Sequence, residues 1–138
     1  MVSKIEKIKG RDDFLTILNE NKGIIIIKFG AEWCRPCGVI SPYIEQYVSS
    51  LSDTFTLYDL DIDDNFEIYA YLKSKKMVTG IPTLLAYYKG NFTFASNECV
   101  SGINETHYKT FFERCLIESH TYNWRFITDI KVVNQIVL

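Results

Sequence analysis

Residues 23 to 29, Gly-Ile-Ile-Ile-Ile-Lys-Phe, form an apolar run interrupted by one charge. Such a run reads as a buried strand at the centre of a sheet, which needs covering layers on both of its faces. Lys28 is the anomaly, because interior strand positions exclude charge. Six residues after it comes Cys34, the first of a Cys-x-x-Cys pair completed by Cys37.

The rest of the chain supplies the layers. "KIEKI" (4 to 8) alternates like a short strand, and "RDDFLTILNEN" puts Phe14, Leu15 and Leu18 on one helical face before Gly23. From Cys34 to about Leu51, Val39, Ile40, Tyr43, Ile44, Tyr47, Val48 and Leu51 recur at helical spacing, with Pro42 expected to kink the helix. Residues 54 to 62 read as a strand, and 64 to 76 as a helix with Asp64 or Asn65 near its cap. "TLLAYY", "KGN" and "FTFASNECVSG" predict a β-hairpin, and 104 to 119 a last helix presenting Tyr108, Phe111, Phe112, Cys115 and Leu116. Alternating strands and helices followed by a hairpin predict an α/β fold on a mixed sheet. At 138 residues, the chain is long enough for one domain with a real core, expected over 1–119. Residues 120–138 form a C-terminal extension whose apolar side chains, Trp124, Phe126 and Ile127 among them, need cover on the domain or across a homodimer.

A net charge of −2 and a pI near 5.7 give no field suggesting nucleic acid or an anionic membrane as partner. No apolar stretch is long enough to span a membrane, and the opening "MVSKIEKIKGRDDF" lacks the pattern of a secretory signal. A cytoplasmic, reducing compartment is the expectation. Abundant Ile, Lys, Asn and Tyr hint at an AT-rich genome of a parasite or large DNA virus, with host cytoplasm or virus particle as the alternative location. Asn91 and Asn104 match the glycosylation pattern, which without a secretory signal reads as chance.

In that setting Cys34, Cys37, Cys99 and Cys115 point to catalysis or metal rather than a disulfide framework. Zinc would want a second close pair, whereas Cys99 and Cys115 lie sixteen residues apart, so no metal is expected. Cys115, on an apolar helical face, reads as core; Cys99, near a strand end, reads first as an inert cysteine, with a solvent-facing thiol able to form a regulatory or intermolecular disulfide as the alternative. The pair at a strand end, opening a helix, has a chemical logic of its own. Unpaired backbone N–H groups and the positive helix end favour a thiolate on Cys34, while Cys37, one turn on, can attack the mixed disulfide that Cys34 forms. On these grounds Cys34 is expected to be the exposed nucleophile and Cys37 the shielded, resolving thiol.

"AEWCRPC" with Pro42 five residues beyond Cys37, and "GIPTLLAYYKG" some forty residues later, closely resemble the two signatures of the thioredoxin family. The resemblance runs from about Lys4 to Ser119. It implies a thioredoxin fold, a central five-stranded mixed sheet flanked by four helices, here with an extra tail. It also implies a protein disulfide reductase whose only redox group is the Cys34–Cys37 pair, with no cofactor, reducing client proteins and recharged by a thioredoxin reductase or an equivalent donor. Trp33 matches the family's tryptophan beside the nucleophile, and Pro82 the proline of a cis peptide bond facing the disulfide. Ile81 would offer its backbone to a substrate strand, and Gly102 with Ile103 would complete an apolar rim. Pro36, where disulfide-forming relatives usually carry histidine, favours a reductant; Arg35 pulls modestly the other way by stabilising the thiolate.

Three departures from the family stand out: a longer stretch from Asn65 to Pro82, an extended last strand, and an exchange of charges. The pattern holds a buried aspartate where this chain has Lys28, and a lysine in the neighbouring strand where it has Asp59. The expectation is a swapped, mutually neutralising pair beneath Cys37. The alternative function is a thioredoxin-fold binding or assembly module in which the dithiol is secondary, and intact Trp33, Cys34, Pro36, Cys37 and Pro82 favour the reductase.

Overall fold

The computed structural model describes residues 2–123. Five strands, β1 (Ser3–Ile5), β2 (Ile24–Gly30), β3 (Phe55–Asp61), β4 (Thr83–Tyr88) and β5 (Glu98–Ser101), form one sheet in the order β1-β3-β2-β4-β5. Four helices cover it: α1 (Arg11–Asn19), α2 (Arg35–Val48), α3 (Phe66–Ser74) and α4 (Glu105–Asn123). β2 runs parallel to β3 and antiparallel to β4, which makes the sheet mixed and puts the isoleucine strand at its centre.

Strand parity divides the core. Ile24 and Ile26 join Phe55 and Leu57 against α2 and α4, while Ile25, Ile27 and Phe29 join Tyr58 and Leu60 against α1 and α3. Each such isoleucine is fully buried or nearly so, worth about 1.5–3 kcal/mol of transfer free energy. By the same parity Lys28 and Asp59 fall on the α2 side, at the carboxyl end of their strands. Tyr47 stacks on Phe112 at 4.6 Å between ring centroids, joining α2 to α4.

The structure redraws several predicted edges. β1 ends at Ile5, three residues short of the predicted limit, and Ile8 is buried outside it, its N–H held by Asn65 Oδ1 at 2.9 Å. Asn65 occupies the cap position of α3 without capping it. Its amide also donates to the Glu6 and Asp61 carbonyls, so this buried side chain satisfies three backbone groups. Leu15 and Val39, predicted on buried helical faces, are exposed; Phe14 and Leu18 fill the α1 face, and Ile40, Ile44 and Val48 the α2 face. Helix α2 runs through Pro42 unbroken and stops at Val48, short of Leu51.

The second hairpin strand is four residues, not eleven, because residues 89 to 97 satisfy their backbone through side chains. Asn97 Oδ1 accepts the Tyr88 N–H at 2.8 Å, and Asn91 bonds the Thr93 N–H and the Ala95 carbonyl, each at 2.9 Å. The Tyr87 hydroxyl donates to the Phe94 carbonyl, and Phe94 stacks on Phe14. Helix α4 continues past Ser119 to Asn123, and the Tyr122 hydroxyl accepts the Lys89 N–H at 3.2 Å. The expected packing of the extension falls on 124–138, outside the described residues. Among the described residues no helix is long and apolar enough to cross a membrane.

Candidate active site

One row across the sheet gathers the predicted residues. Phe29 on β2 pairs with Thr83 on β4, and Thr83 with Ser101 on β5, so the segments 31–34, 80–82 and 102–103 leave the sheet at the same edge. On the other side of β2, Gly30 pairs with Asp61, which sends the β3–α3 turn to that edge too. The dithiol follows the middle strand and is flanked on both sides.

Cys34 is the N-cap of α2 with extended backbone, and Pro36 stands in the first turn, where its missing N–H costs no helical hydrogen bond. Cys34 and Cys37 are joined by a disulfide, with Cα atoms 5.3 Å apart. The Cys37 N–H donates to Cys34 Sγ at 3.2 Å, so the first sulfur sits where the helix end favours negative charge. The expected contrast in exposure is absent. Both cysteines are 8% exposed, because the bonded sulfurs cover one another, and it is the amide contact that sets Cys34 apart. A Cβ at Gly30 would lie 3.6 Å from Cys37 Sγ, which places the end of β2 directly against the second sulfur.

Trp33 is largely exposed and fixed by its indole N–H to Asp63 Oδ2 at 2.8 Å. Arg35 is exposed on the first residue of α2. The Ile81–Pro82 peptide bond is cis, with Pro82 buried and Ile81 half-buried. Gly102 N–H donates to the Pro82 carbonyl at 3.2 Å, linking the two loops. Gly102 adopts φ +86°, a conformation that favours glycine, and its carbonyl accepts the Tyr108 hydroxyl at 2.7 Å. Ile103 next to it is exposed. Asp63 and Tyr108 are supports that sequence reasoning missed: "DIDD" offers several aspartates with nothing to choose among them, and Tyr108 reads as plain core.

Lys28 and Asp59 are register partners on neighbouring strands, with Lys28 Nζ 3.9 Å from Asp59 Oδ1. They share a cleft of about 490 Å³ with Cys34, Cys37 and Ser41. The expectation of a buried pair holds for the lysine alone: its side chain is 15% exposed and that of Asp59 45%. The difference follows from position, since β2 is central while β3 is bordered by only the three-residue β1.

Among the described residues Cys99 and Cys115 are free. Cys99 is exposed on β5, although partial burial of its sulfur raises the thiol above its ordinary value. Cys115 is buried, which pushes its thiol up to about 12. Among the described residues no three His, Cys, Asp or Glu side chains converge closely enough to hold a metal ion.

The thioredoxin family model matches residues 5–113. Thioredoxin-2 of Saccharomyces cerevisiae is 30% identical over 86 residues, 62% of this chain and 77% of that protein. A bifunctional thioredoxin reductase/thioredoxin of Mycobacterium leprae is 31% identical over 77 residues, 56% of this chain and 16% of that protein. The crystal structure of a Plasmodium falciparum thioredoxin superposes with a TM-score of 0.59 at 27% identity, covering 80% of this chain and 85% of that one.

Proposed function

The chain belongs to the thioredoxin family and is a protein-disulfide oxidoreductase, and from that premise we infer how its own residues share the work. Reduced Cys34, as thiolate, attacks one sulfur of a client disulfide; the other client sulfur leaves as a thiolate and takes a proton. Cys37, once deprotonated, attacks Cys34 Sγ, releasing the second client thiol and closing the Cys34–Cys37 disulfide. Two electrons and two protons pass to the client. The observation that carries this order is the Cys37 N–H aimed at Cys34 Sγ. Trp33, Ile81, Pro82, Gly102 and Ile103 receive the client strand in this reading, and Lys28 with Asp59 manages the proton of Cys37. A cation in the shared cleft favours the Cys37 thiolate, and Asp59, or a water it binds, takes the proton.

The test is reduction of insulin by the full chain with dithiothreitol as electron source. Turbidity should rise with wild type and stay at the uncatalysed rate with Cys34→Ser. Cys37→Ser should accumulate mixed disulfides with clients through Cys34; trapping through the other cysteine in the reciprocal variant would reverse the roles.

Three further points belong to the same reading. The electron donor is a thioredoxin reductase or its equivalent, in keeping with the bifunctional thioredoxin reductase/thioredoxin of Mycobacterium leprae. The compartment is the reducing cytoplasm, in keeping with two free cysteines beside one redox pair. Residues 120–138 pack on the domain or across a homodimer, in keeping with Tyr122 already resting on the core.

A further inference from the structure

The two sides of the dithiol differ in chemistry. Toward β4 and β5 lie Ile81, Pro82, Gly102 and Ile103, none of which carries a charge. Toward β3 lies the 490 Å³ cleft, open to solvent, with Cys34 and Cys37 in its wall. Five carboxylate residues, Glu6, Glu32, Asp59, Asp61 and Asp64, line that cleft, with Lys28 the one cation among them.

Lys28 is taken up by Asp59. No salt bridge engages the other four carboxylates among the described residues, where the ion pairs are Lys4–Glu45, Arg11–Glu67, Lys28–Asp59, Lys109–Glu113 and Arg114–Glu98. Lys7, whose ammonium donates to the Asp64 main-chain carbonyl, offsets part of the charge at that rim, which sets the five carboxylates against Lys28 and Lys7; Arg35 lies outside the cleft lining. Glu6, Glu32 and Asp64 are exposed and Asp61 half-exposed, with one Asp61 oxygen accepting the Asp63 N–H at 2.8 Å, so the freest charges in the lining are those of Glu6 and Glu32.

We propose that this acidic cleft selects clients: the protein reduces by preference disulfides flanked by lysine or arginine, the cationic side chain entering the β3 side while the client strand lies on the apolar side. The proposal rests on the reductase reading and names its substrate class. Opposite charges on client and cleft speed encounter and fix the direction in which the client strand lies. The exchange itself is unchanged, two electrons passing from the Cys34–Cys37 dithiol to the client disulfide.

The experiment uses the full chain, reduced with dithiothreitol and desalted, in single-turnover reaction with three disulfide peptides that differ only in flanking Lys, Ser or Glu. Dithiothreitol alone, a thiolate without a cleft, measures the intrinsic effect of peptide charge. The Lys peptide should react about tenfold faster than the Glu peptide beyond that baseline at about 0.01 M salt, and the excess should vanish near 1 M, where the screening length falls to about 3 Å. Glu32→Gln with Asp64→Asn should cut the excess by about half on the logarithmic scale, and single Glu32→Gln, a change at an exposed loop position, by less in the same direction. A Lys/Glu ratio equal to the dithiothreitol ratio, or one that neither salt nor these variants move, overturns the cleft proposal while reduction of the Ser peptide upholds the reductase. Failure to reduce the Ser peptide overturns both.

Discussion

A lysine ammonium that is largely buried needs a counter-charge more than a half-exposed aspartate does, and this inequality governs Lys28 and Asp59. Removing Asp59 leaves the cation in a poorly solvated place; removing the lysine charge leaves a carboxylate that water can reach. Asp59→Ala is therefore expected to destabilise the fold by about 1–3 kcal/mol, and Lys28→Met, which keeps the apolar stem, by much less. The double variant should recover part of the Asp59→Ala loss, and chemical denaturation of the four proteins measures the coupling. Additive losses would show that the two charges do not interact. Resolution of a preformed mixed disulfide should slow in both single variants, a readout that a purely structural pair would not move.

At the scale of elements, α4 links the core to the site. Tyr108 and Cys115 are fully buried on its inner face, and burial pushes the phenol and the thiol each up to about 12. Their ordinary values are about 10 and 8.5, so between roughly pH 9 and 12 the unfolded chain releases protons that the native chain keeps. The unfolded state then binds fewer protons, and stability falls as pH rises through that window, by up to ~1.4 kcal/mol per pH unit for each group. The urea midpoint should hold to about pH 8 and drop above it. With Cys115→Val and Cys99→Ser together, which removes both raised thiols, the drop should begin nearer pH 10; a wild-type midpoint flat across the window would refute the burial account. Because native Tyr108 keeps its proton through this window, its bond to the Gly102 carbonyl, and with it the loop beside Pro82, should hold until the fold itself gives way.

These elements also show what the sequence made legible. The isoleucine run and the Cys-x-x-Cys could be read because each depends on chemistry local to a few residues, and Pro82 through the resemblance of "GIPTLLAYYKG" to the family's second signature. The parity that sets Lys28 opposite Asp59 was readable through the family pattern, but the unequal exposure was not, since it depends on β1 stopping at Ile5. Asn65 and the loop from 89 to 97 escaped because their side chains bond backbone distant in sequence or replace a ladder, and no periodicity records that. The carboxylates of the cleft come from β1's flank, the loop after β2, β3 and its following turn, so only the fold assembles them.

Across the whole molecule, the dithiol occupies one end of the sheet and the end of α4 the other. There a second cleft, of about 610 Å³, has Ile5, Ile17, Ile25 and Tyr58 in its wall beside polar residues such as Glu20, Lys22 and Asp53, together with Tyr122, one residue before the described helix ends. The sequence continues from Asn123 with Trp124, Phe126 and Ile127 among its next residues, and the fifteen residues 124–138 span at most about 50 Å when extended. That length suffices to lay apolar side chains along this end of the domain, and burying three or four would add several kcal/mol at about 1.5–3 kcal/mol each. The cut belongs after Asn123, because ending the chain at Ser119 would also remove Tyr122 and its bond to Lys89. Truncation there is expected to lower the urea midpoint and leave the mass in solution that of a monomer if the extension packs on its own domain. If the extension joins two copies, wild type should scatter as a dimer and the truncated chain as a monomer. A truncated chain with both stability and mass unchanged would show that the extension covers neither surface, and insulin reduction by that chain should persist in every case, since the dithiol lies at the far end of the sheet.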